Sequence, residues 1–310
     1  MKNRKWKRKG LIYKPSGEYG WINSHAQVPT AILLGDTIRV YISTRTIKKE
    51  SKTTFIDLCA YNPKKIKQIN SIPILDNGSP GCFDEHGIMP SAIVKIAKDN
   101  FLLYYSGWSQ RCSTPYSNLT GVAESVDCIH FNKLYKGPIL STNKYEPFSA
   151  TSPCIIEEDE RYFMFYCSGT DWKLIDGKYE HTYDIKLATS ENGLDWTQDG
   201  MSRIKQKNSL EALTRPSVIK LDDVFHMWFC YRGSLDFRDG IESYRIGYAS
   251  SKDLFNWERN DDNCGIEVGQ ERWEDKMIAY PNVISTDKYI YMFYNGNGFG
   301  ESGFGYAILE

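Results

Sequence analysis

The chain has no long hydrophobic run. None of its apolar stretches approaches the roughly 20 residues that cross a bilayer as a helix. The positive charges near the N-terminus are not followed by the apolar segment of a signal peptide. We therefore expect a cytoplasmic protein without a membrane partner, in which Met1–Lys5 form a disordered basic tail.

Net charge is also nearly absent. The formal net charge is −1 over 310 residues, whereas a protein that binds nucleic acid through its phosphates needs a positive surface. The basic run at the N-terminus is too short to supply one. The sequence therefore predicts no nucleic-acid partner.

Cysteine pairs with the spacing of metal or redox motifs are missing. None of the eight cysteines forms a C-x-x-C pair. Cys154, Cys167 and Cys230 fall in predicted strands, where a thiol behaves as a small hydrophobic group. Without an export signal we expect reduced thiols, and we expect neither a metal site nor a cofactor.

What the sequence does contain is a repeat. A segment built around a proline occurs five times, and the prolines are separated by 61, 63, 63 and 65 residues. They are Pro29, Pro90, Pro153, Pro216 and Pro281. A near-constant period of this size indicates a repeat architecture that covers the whole chain.

Each copy has the pattern of a β-hairpin. In LTRPSVIKLDDVFHMWFCYRG, which begins at Leu213, a short apolar run follows the proline, then a polar turn, then a β-branched and aromatic run. Third strands follow, such as IKLATS at Ile185 and RIGYASS at Arg245, and then an aromatic-led outer strand. Five units of four antiparallel strands predict an all-β, single-domain five-bladed β-propeller over residues 1–310.

The two ends of the chain complement each other. The fifth unit stops at its third strand, GFGYAILE, while the N-terminal KWKRKGLIYKP looks like the outer strand of the other units. We expect this N-terminal strand to join the last blade. That pairing would close the ring and remove an open sheet edge.

The functional site is expected at one mouth of the propeller. Residues before each proline and after each second strand lie at the same end of a four-stranded blade, where loops carry function. Acids there include Glu146 and Glu274 and four catalytic candidates. The catalytic candidates are Asp84, Glu85, Glu211 and Asp275. The predicted substrate-binding residues are His25, Gln27, Arg45, His86, Trp108, Asp171, Trp172, Arg215, Arg232 and Asn295.

This mixture of side chains suits a carbohydrate. Aromatic faces stack on sugar rings, and acids, amides and histidines hydrogen-bond to hydroxyl groups. Paired carboxylates supply the acid and the base or nucleophile of glycosidic cleavage. The arginines suggest a sugar that carries a carboxylate or phosphate.

The repeat resembles a group of known enzymes. The x-P-x-hydrophobic segments, MFYNGNG, and the S-x-x-x-x-W motif of SENGLDW and SKDLFNW are similar to the five-bladed propeller glycosidases of families 43, 32 and 68 and the mannoside phosphorylases of family 130. The resemblance implies three acids on the inner strands of the first three blades. They would be a base or nucleophile, an acid that tunes pKa and orients the sugar, and a general acid.

The sequence departs from that pattern. Blade one has His25 and Gln27 where the resemblance implies an aspartate, and blade three has Ser149, Thr151 and Ser152, with Glu146 further back. Only blade two, with Asp84 and Glu85, has acids where the resemblance implies them. The active pair is therefore expected to draw on other blades.

The preferred pair is Asp84 or Glu85 with Glu211, with Asp275 as a third candidate. Glu85 and Glu211 each precede their proline by five residues, so we expect them at a similar height. Glu211 is the expected acid, and Asp84 or Glu85 the expected base. Each carboxylate also has a purely structural interpretation, as a salt bridge or a turn cap.

Three functions stay open at this point. The preferred one is a glycosidase, a hydrolase of polysaccharide metabolism that uses two carboxylates. A phosphorylase or transferase that uses a phosphorylated sugar is the first alternative. The second is a non-catalytic protein for sugar binding or polysaccharide assembly, which the missing blade-one aspartate favours. The sugar, the linkage and the oligomeric state do not follow from the sequence.

Overall fold

The computed structural model describes residues 4–310, and these form an all-β structure. The strands are β1 (Trp6–Tyr13), β2 (Ser24–Leu34), β3 (Thr37–Arg45), β4 (Ser51–Cys59), β5 (Asn62–Ile69), β6 (Gly87–Ala97), β7 (Asn100–Gln110), β8 (Tyr116–Ser125), β9 (Asn132–Lys133), β10 (Ala150–Glu158), β11 (Arg161–Ile175), β12 (Lys178–Ser190), β13 (Thr197–Ile204), β14 (Ala212–Leu221), β15 (Val224–Arg232), β16 (Arg245–Ser251), β17 (Trp257–Arg259), β18 (Ala279–Ser285), β19 (Ile290–Asn295) and β20 (Phe304–Leu309). Single-turn helices lie at Glu18–Gly20, Asp261–Asn263 and Asn297–Gly300.

The strands pair in the order that the repeat predicts. Within each of units 1 to 4, four consecutive strands form antiparallel neighbours, β2 to β5, β6 to β9, β10 to β13 and β14 to β17. Unit 5 contains β18, β19 and β20, and β1 pairs antiparallel with β20 as its fourth strand. The predicted N-terminal pairing is therefore confirmed.

The prediction of a basic tail needs a correction. Met1–Asn3 lie outside the described residues. Lys5, however, is part of the fold, because Glu310 N–H donates to the Lys5 carbonyl at 2.9 Å. The backbone ladder between β1 and β20 extends to this residue, which removes it from the predicted tail.

The units contact one another in a cycle. The first strand of each unit lies against the first strand of the next, and β18 lies against β2. Each neighbouring pair also shares an apolar cluster. Phe293 of unit 5 belongs to the same cluster as Ile42 of unit 1, and Met292 shares another with Trp228 of unit 4. Burial of this apolar surface between units is the main stabilising contribution.

A β-bulge marks the residue before the proline. This residue has a positive φ in four units, namely Val28 (50°), Ser152 (51°), Arg215 (56°) and Tyr280 (56°). The strand register slips at the same places. A bulge leaves one residue outside the ladder, and in units 1, 3 and 5 the backbone N–H of that residue donates to a side chain of the neighbouring unit. The Val28 N–H donates to Asn295 Oδ1 at 2.8 Å.

Cysteine side chains take part in these contacts between units. The eight cysteines are free thiols. Cys154 Sγ accepts from the Val218 N–H at 3.3 Å, and the Cys167 thiol donates to the Leu213 carbonyl at 3.3 Å. Among residues 4–310 no helix has the length and hydrophobicity that a membrane span requires.

Candidate functional site

The strand ends predicted to form a mouth lie side by side. Ser24 pairs with Arg45 in unit 1, and Gly87 pairs with Trp108 in unit 2. Ala279 pairs with Asn295 in unit 5. In each case the start of a first strand meets the end of a second strand. Residues before the prolines therefore share one end of each sheet with residues after the second strands.

A cavity of about 680 Å³ opens between units 1, 4 and 5. Three residues of the predicted site, His25, Arg45 and Asp275, line it. Other charged residues complete its wall, and several come from loops that the sequence reasoning did not single out. They are Arg238, Asp239, Arg272, Lys276 and Glu301. The cavity thus combines carboxylates, cations and a histidine.

Arg45 and His25 lie together in this cavity. Burial lowers the pKa of the half-buried Arg45, and Tyr280 and Glu301 are the acidic groups that oppose this shift. Within residues 4–310 the Arg45 guanidinium has no ion pair. Burial, followed by the charge of Arg45, lowers the pKa of His25 to about 4. His25 is therefore neutral at pH 7, and it can donate or accept a hydrogen bond.

Arg215 lies deeper, between the first strands. Its guanidinium donates to the Ser91 carbonyl of unit 2, and to the Pro29 carbonyl (3.1 Å) and Thr30 Oγ1 (2.6 Å) of unit 1. It therefore reaches from unit 4 to the first strands of units 1 and 2. The side chain is 1% exposed, and burial lowers its pKa to about 10. Within the described chain it has no carboxylate partner.

Arg232 and Asn295 also belong to the scaffold, while their predicted contact with substrate stays a prediction. Arg232 donates to the carbonyls of Gly233 (2.7 Å) and His181 (2.8 Å), and it packs on the Phe237 ring at 3.7 Å. Asn295 is fully buried and donates to the Ala26 carbonyl at 2.7 Å. Their polar groups connect neighbouring units, so little surface is left for a ligand.

Buried carboxylates recur in the loops before the first strands. Asp84 accepts from Lys133 Nζ at 2.6 Å and from the Tyr105 hydroxyl at 3.2 Å. Glu274 accepts from the Tyr294 hydroxyl at 2.7 Å. Each of these acids is 1% exposed. Asp84 therefore neutralises a lysine of the outer strand β9 and is not among the residues that line the cavity.

Glu146 and Glu211 are also buried acids, and each is paired with a cation of its own unit. Glu146 accepts from the Tyr166 hydroxyl at 2.8 Å and from Lys186 at 3.2 Å. Glu211 accepts from two nitrogens of Arg259, on the outer strand β17, at 2.7 and 2.9 Å. These contacts support the structural interpretation of Glu211. Its catalytic pairing with Asp84 or Glu85 stays a prediction, and its polar partners in the structure belong to unit 4.

The remaining unit 2 candidates, Glu85, His86 and Trp108, contact residues of units 1 and 2. Glu85 Oε2 accepts from the Gly81 N–H at 2.8 Å, which makes it a turn cap. His86 packs at a tilt against Trp108, with ring centroids 5.4 Å apart. Trp108 Nε1 donates to Ser51 Oγ at 3.1 Å. In unit 1, Gln27 is buried opposite Ser43. None of these residues is among those lining the cavity between units 1, 4 and 5.

Trp172 lies on the long hairpin of unit 3. Its ring stacks on His181, with centroids 3.9 Å apart, and meets Tyr116 edge-on at 5.2 Å. Asp171 is paired with Lys173 at 2.6 Å. Burial lowers the pKa of His181 to about 3. Trp172 is thus a half-buried aromatic platform with one face covered by a neutral histidine, while its role toward a sugar stays a prediction.

Asp184 is a buried acid that the sequence reasoning missed. It lies on β12 opposite Ser168, and its Oδ1 atom has no hydrogen-bond partner within residues 4–310. Burial raises its pKa to about 7, with Glu146 adding to the shift and Lys186 opposing it. Third strands carry an aspartate in units 1 and 3, as Asp57 and Asp184, and this was the available signal.

We expect Asp184→Asn to change how stability depends on pH. The folded protein holds this proton up to about pH 7, whereas the unfolded chain releases it near pH 4, so wild-type stability falls as pH rises between these values. The asparagine variant should therefore gain roughly 2 kcal/mol relative to wild type between pH 5 and pH 8. Urea unfolding at both pH values measures this. Equal differences at the two values would contradict it, and Asp287→Asn, an exposed turn residue, is the control.

Comparison with known proteins supports the fold. No family model matches the chain. A glycosyl hydrolase from Bacteroides ovatus superposes with a TM-score of 0.76 at 14% identity, over 98% of this chain and 93% of that one. A structure from the GH130 family of mannoside phosphorylases, which contains glycoside hydrolases that target β-1,2 mannosidic linkages in Candida mannan, gives 0.74 at 16%, over 98% and 93%. A thermostable family-43 glycoside hydrolase gives 0.65 at 14%, over 93% and 88%. At these identities the likeness establishes a shared fold.

Two proteins are similar in sequence along their whole length. Uncharacterized protein Rv1502 and Uncharacterized protein MT1551, from Mycobacterium tuberculosis strains ATCC 25618 / H37Rv and CDC 1551 / Oshkosh, are each 35% identical over 309 residues. The alignments cover 98% of this chain and 99% of each relative. The chain therefore belongs to the same family as these mycobacterial proteins.

Proposed function

We propose that the five units form one five-bladed β-propeller domain, closed by β1, that acts on carbohydrate. The cyclic contacts of the first strands support the propeller, and the fold shared with glycoside hydrolases supports the function. The substrate is a small anionic sugar, bound in the cavity between units 1, 4 and 5, and the reaction is cleavage of its glycosidic bond.

One observation carries this proposal. Arg45 lines a cavity that also contains carboxylates, and its guanidinium has no ion pair in the described part of the chain. Arg215 and Arg232, which are buried and do not line the cavity, also have no carboxylate partner within residues 4–310. A half-buried guanidinium is expensive to leave without an anion, and it suits carboxylate or phosphate groups. The positive potential of these arginines would attract an anionic sugar.

Phosphorolysis is the second candidate. Arg272 and Lys276 line the same cavity and are exposed, and within residues 4–310 neither has an ion pair. Two free cations beside Arg45 fit inorganic phosphate or a sugar phosphate better than a neutral sugar. A reaction that depends on added inorganic phosphate would distinguish phosphorolysis from hydrolysis.

The binding of anionic sugars tests the proposal. We expect uronic acids or sugar phosphates to raise the melting temperature of the protein, because a ligand that binds only the folded state stabilises it. Arg45→Met should weaken that binding by roughly 10- to 100-fold, the loss of about 1.5–3 kcal/mol for a charged hydrogen bond. The measurement is a thermal-shift titration with glucuronate, galacturonate, glucose 1-phosphate and mannose 1-phosphate.

The control is Arg161→Met. Arg161 is an exposed residue at the start of β11, and it pairs with Glu191 just after β12. This variant should leave the titration unchanged. Stabilisation by neutral sugars alone, or equal stabilisation of wild type and Arg45→Met, would contradict an anionic substrate. Stabilisation without any turnover would assign the protein to the non-catalytic alternative.

A further inference from the structure

A strained loop forms one wall of the cavity. Three consecutive residues, Gly298, Phe299 and Gly300, have φ values of 64°, 58° and 96°. A left-handed non-glycine residue such as Phe299 costs of order 1–2 kcal/mol and persists only where its surroundings determine it. The Phe299 ring packs edge-on against Phe237 (6.1 Å) and Tyr244 (6.0 Å). The loop is therefore held in this conformation by its packing.

Glycine at position 300 is required by the close approach of Asn295. A Cβ atom on Gly300 would lie 2.7 Å from Asn295 Nδ2, which is fixed by its bonds to the Ala26 and Gly303 carbonyls. The loop thus rests on the fully buried contact between units 1 and 5. The residue that follows is Glu301, which is exposed and lines the cavity.

Asn297, in the same loop, holds the segment that carries Asp275. Its Oδ1 accepts from the N–H groups of Lys276 (3.0 Å) and Met277 (2.9 Å). Its Nδ2 donates to the Arg272 carbonyl (2.9 Å) and to Asp275 Oδ1 (2.7 Å). All four hydrogen-bonding positions of the amide are used. Asp275 is therefore oriented by the loop that presents Glu301.

Resting on the proposed carbohydrate function, we propose that Asp275 and Glu301 are the catalytic carboxylate pair. Both line one cavity beside Arg45, and unit 5 supplies both. Of the acids predicted in units 2 and 4, Asp84 is paired with Lys133 and Glu211 with Arg259, and Glu85 caps Gly81. Asp239 also lines the cavity, but it lies between β15 and β16 of unit 4, outside the unit 5 segments that Asn297 joins.

The chemistry needs one proton donor and one proton acceptor. One carboxyl group of the pair gives its proton to the glycosidic oxygen while the bond from that oxygen to the anomeric carbon breaks. The other carboxylate takes a proton from the water whose oxygen forms the new bond to that carbon. After cleavage, the base releases its proton to solvent and the acid takes up a proton from solvent, which restores both groups to their starting states.

The test uses a panel of 4-nitrophenyl glycosides and glycosiduronic acids with the full chain. We expect Asp275→Asn and Glu301→Gln each to lower kcat by roughly 10²- to 10⁴-fold, the usual contribution of acid–base groups. The variant that lacks the acid should retain more activity on 4-nitrophenyl substrates than on unactivated ones, because nitrophenolate leaves without protonation. Asp287→Asn and Glu258→Gln, both exposed and remote from the cavity, are matched controls.

The outcomes separate this proposal from the one on which it rests. Loss of turnover in both variants, with melting temperatures and ligand-induced stabilisation retained, supports the pair. Wild-type turnover in either variant overturns the pair and leaves the carbohydrate function intact. A wild-type protein that is stabilised by anionic sugars yet cleaves no member of the panel overturns both the pair and the catalytic function.

Discussion

Replacing Glu211 by alanine is expected to lower the free energy of unfolding by about 3 kcal/mol, the loss typical of a broken buried ion pair. Glu211 is 5% exposed, and two nitrogens of Arg259 donate to it at 2.7 and 2.9 Å. It also accepts from the Lys207 N–H at 2.6 Å. The alanine variant leaves these donors with fewer partners, since Asp261 is the one other carboxylate within residues 4–310 that pairs with Arg259. Urea unfolding monitored by tryptophan fluorescence measures the loss.

Two variants control this experiment. Glu85→Ala removes a more exposed acid that caps Gly81, so it should lose less than about 1 kcal/mol, as for an ordinary hydrogen bond. The double variant Glu211→Ala with Arg259→Met should lose less than the sum of the two single losses, because both substitutions remove the same ion pair. An unfolding free energy unchanged in Glu211→Ala, together with lost turnover, would restore Glu211 as a catalytic candidate.

The repeat period made the strands predictable. A proline every 61 to 65 residues, followed by paired apolar runs, placed the hairpins of all five units, and the pairing of β1 with β20 followed from the missing last strand. Residues within a hairpin are close in sequence, so local patterns are sufficient to locate them.

The roles of the acids could not be predicted in the same way. Asp84 is paired with Lys133 and Glu211 with Arg259. Each cation lies on the outer strand of the same unit, 49 and 48 residues after its acid. The sequence shows that an acid precedes the first strand in most units. The identity of its partner depends on how the outer strand packs against the rest of its unit. A recurring acid is therefore equally consistent with a scaffold role, and the structure favours that role for Asp84 and Glu211.

The cavity was only partly predictable for a related reason. Arg45, His25 and Asp275 were found because they occupy strand ends that the repeat aligns. Glu301 and Asn297 lie in the loop between β19 and β20 of unit 5, and its shape depends on contacts with Asn295 and with the segment before β18. The glycines on either side of Phe299, Gly298 and Gly300, were the visible signal for a left-handed turn, since glycine adopts positive φ without steric cost.

Arg215→Ala is expected to destabilise the fold by about 3 kcal/mol, through lost hydrogen bonds of a charged donor and the space left behind. The side chain reaches from unit 4 to carbonyls of units 1 and 2, so its removal leaves acceptors without donors at the centre of the molecule. Arg215→Met retains most of the volume and removes a buried cation that has no carboxylate partner in the described chain. Because it leaves the same acceptors without donors but little empty space, it should destabilise the fold less than Arg215→Ala does.

The same methionine variant decides between two roles of Arg215. As part of the scaffold, Arg215 contributes only at long range to ligand binding, so the thermal-shift titration with sugar phosphates should give nearly the same affinity in Arg215→Met as in wild type. As a direct anion ligand, its replacement would weaken binding as strongly as Arg45→Met does. Its 1% exposure favours the first result, because a guanidinium whose terminal nitrogens already bond to Ser91, Pro29 and Thr30 presents no free surface to a sugar in the cavity.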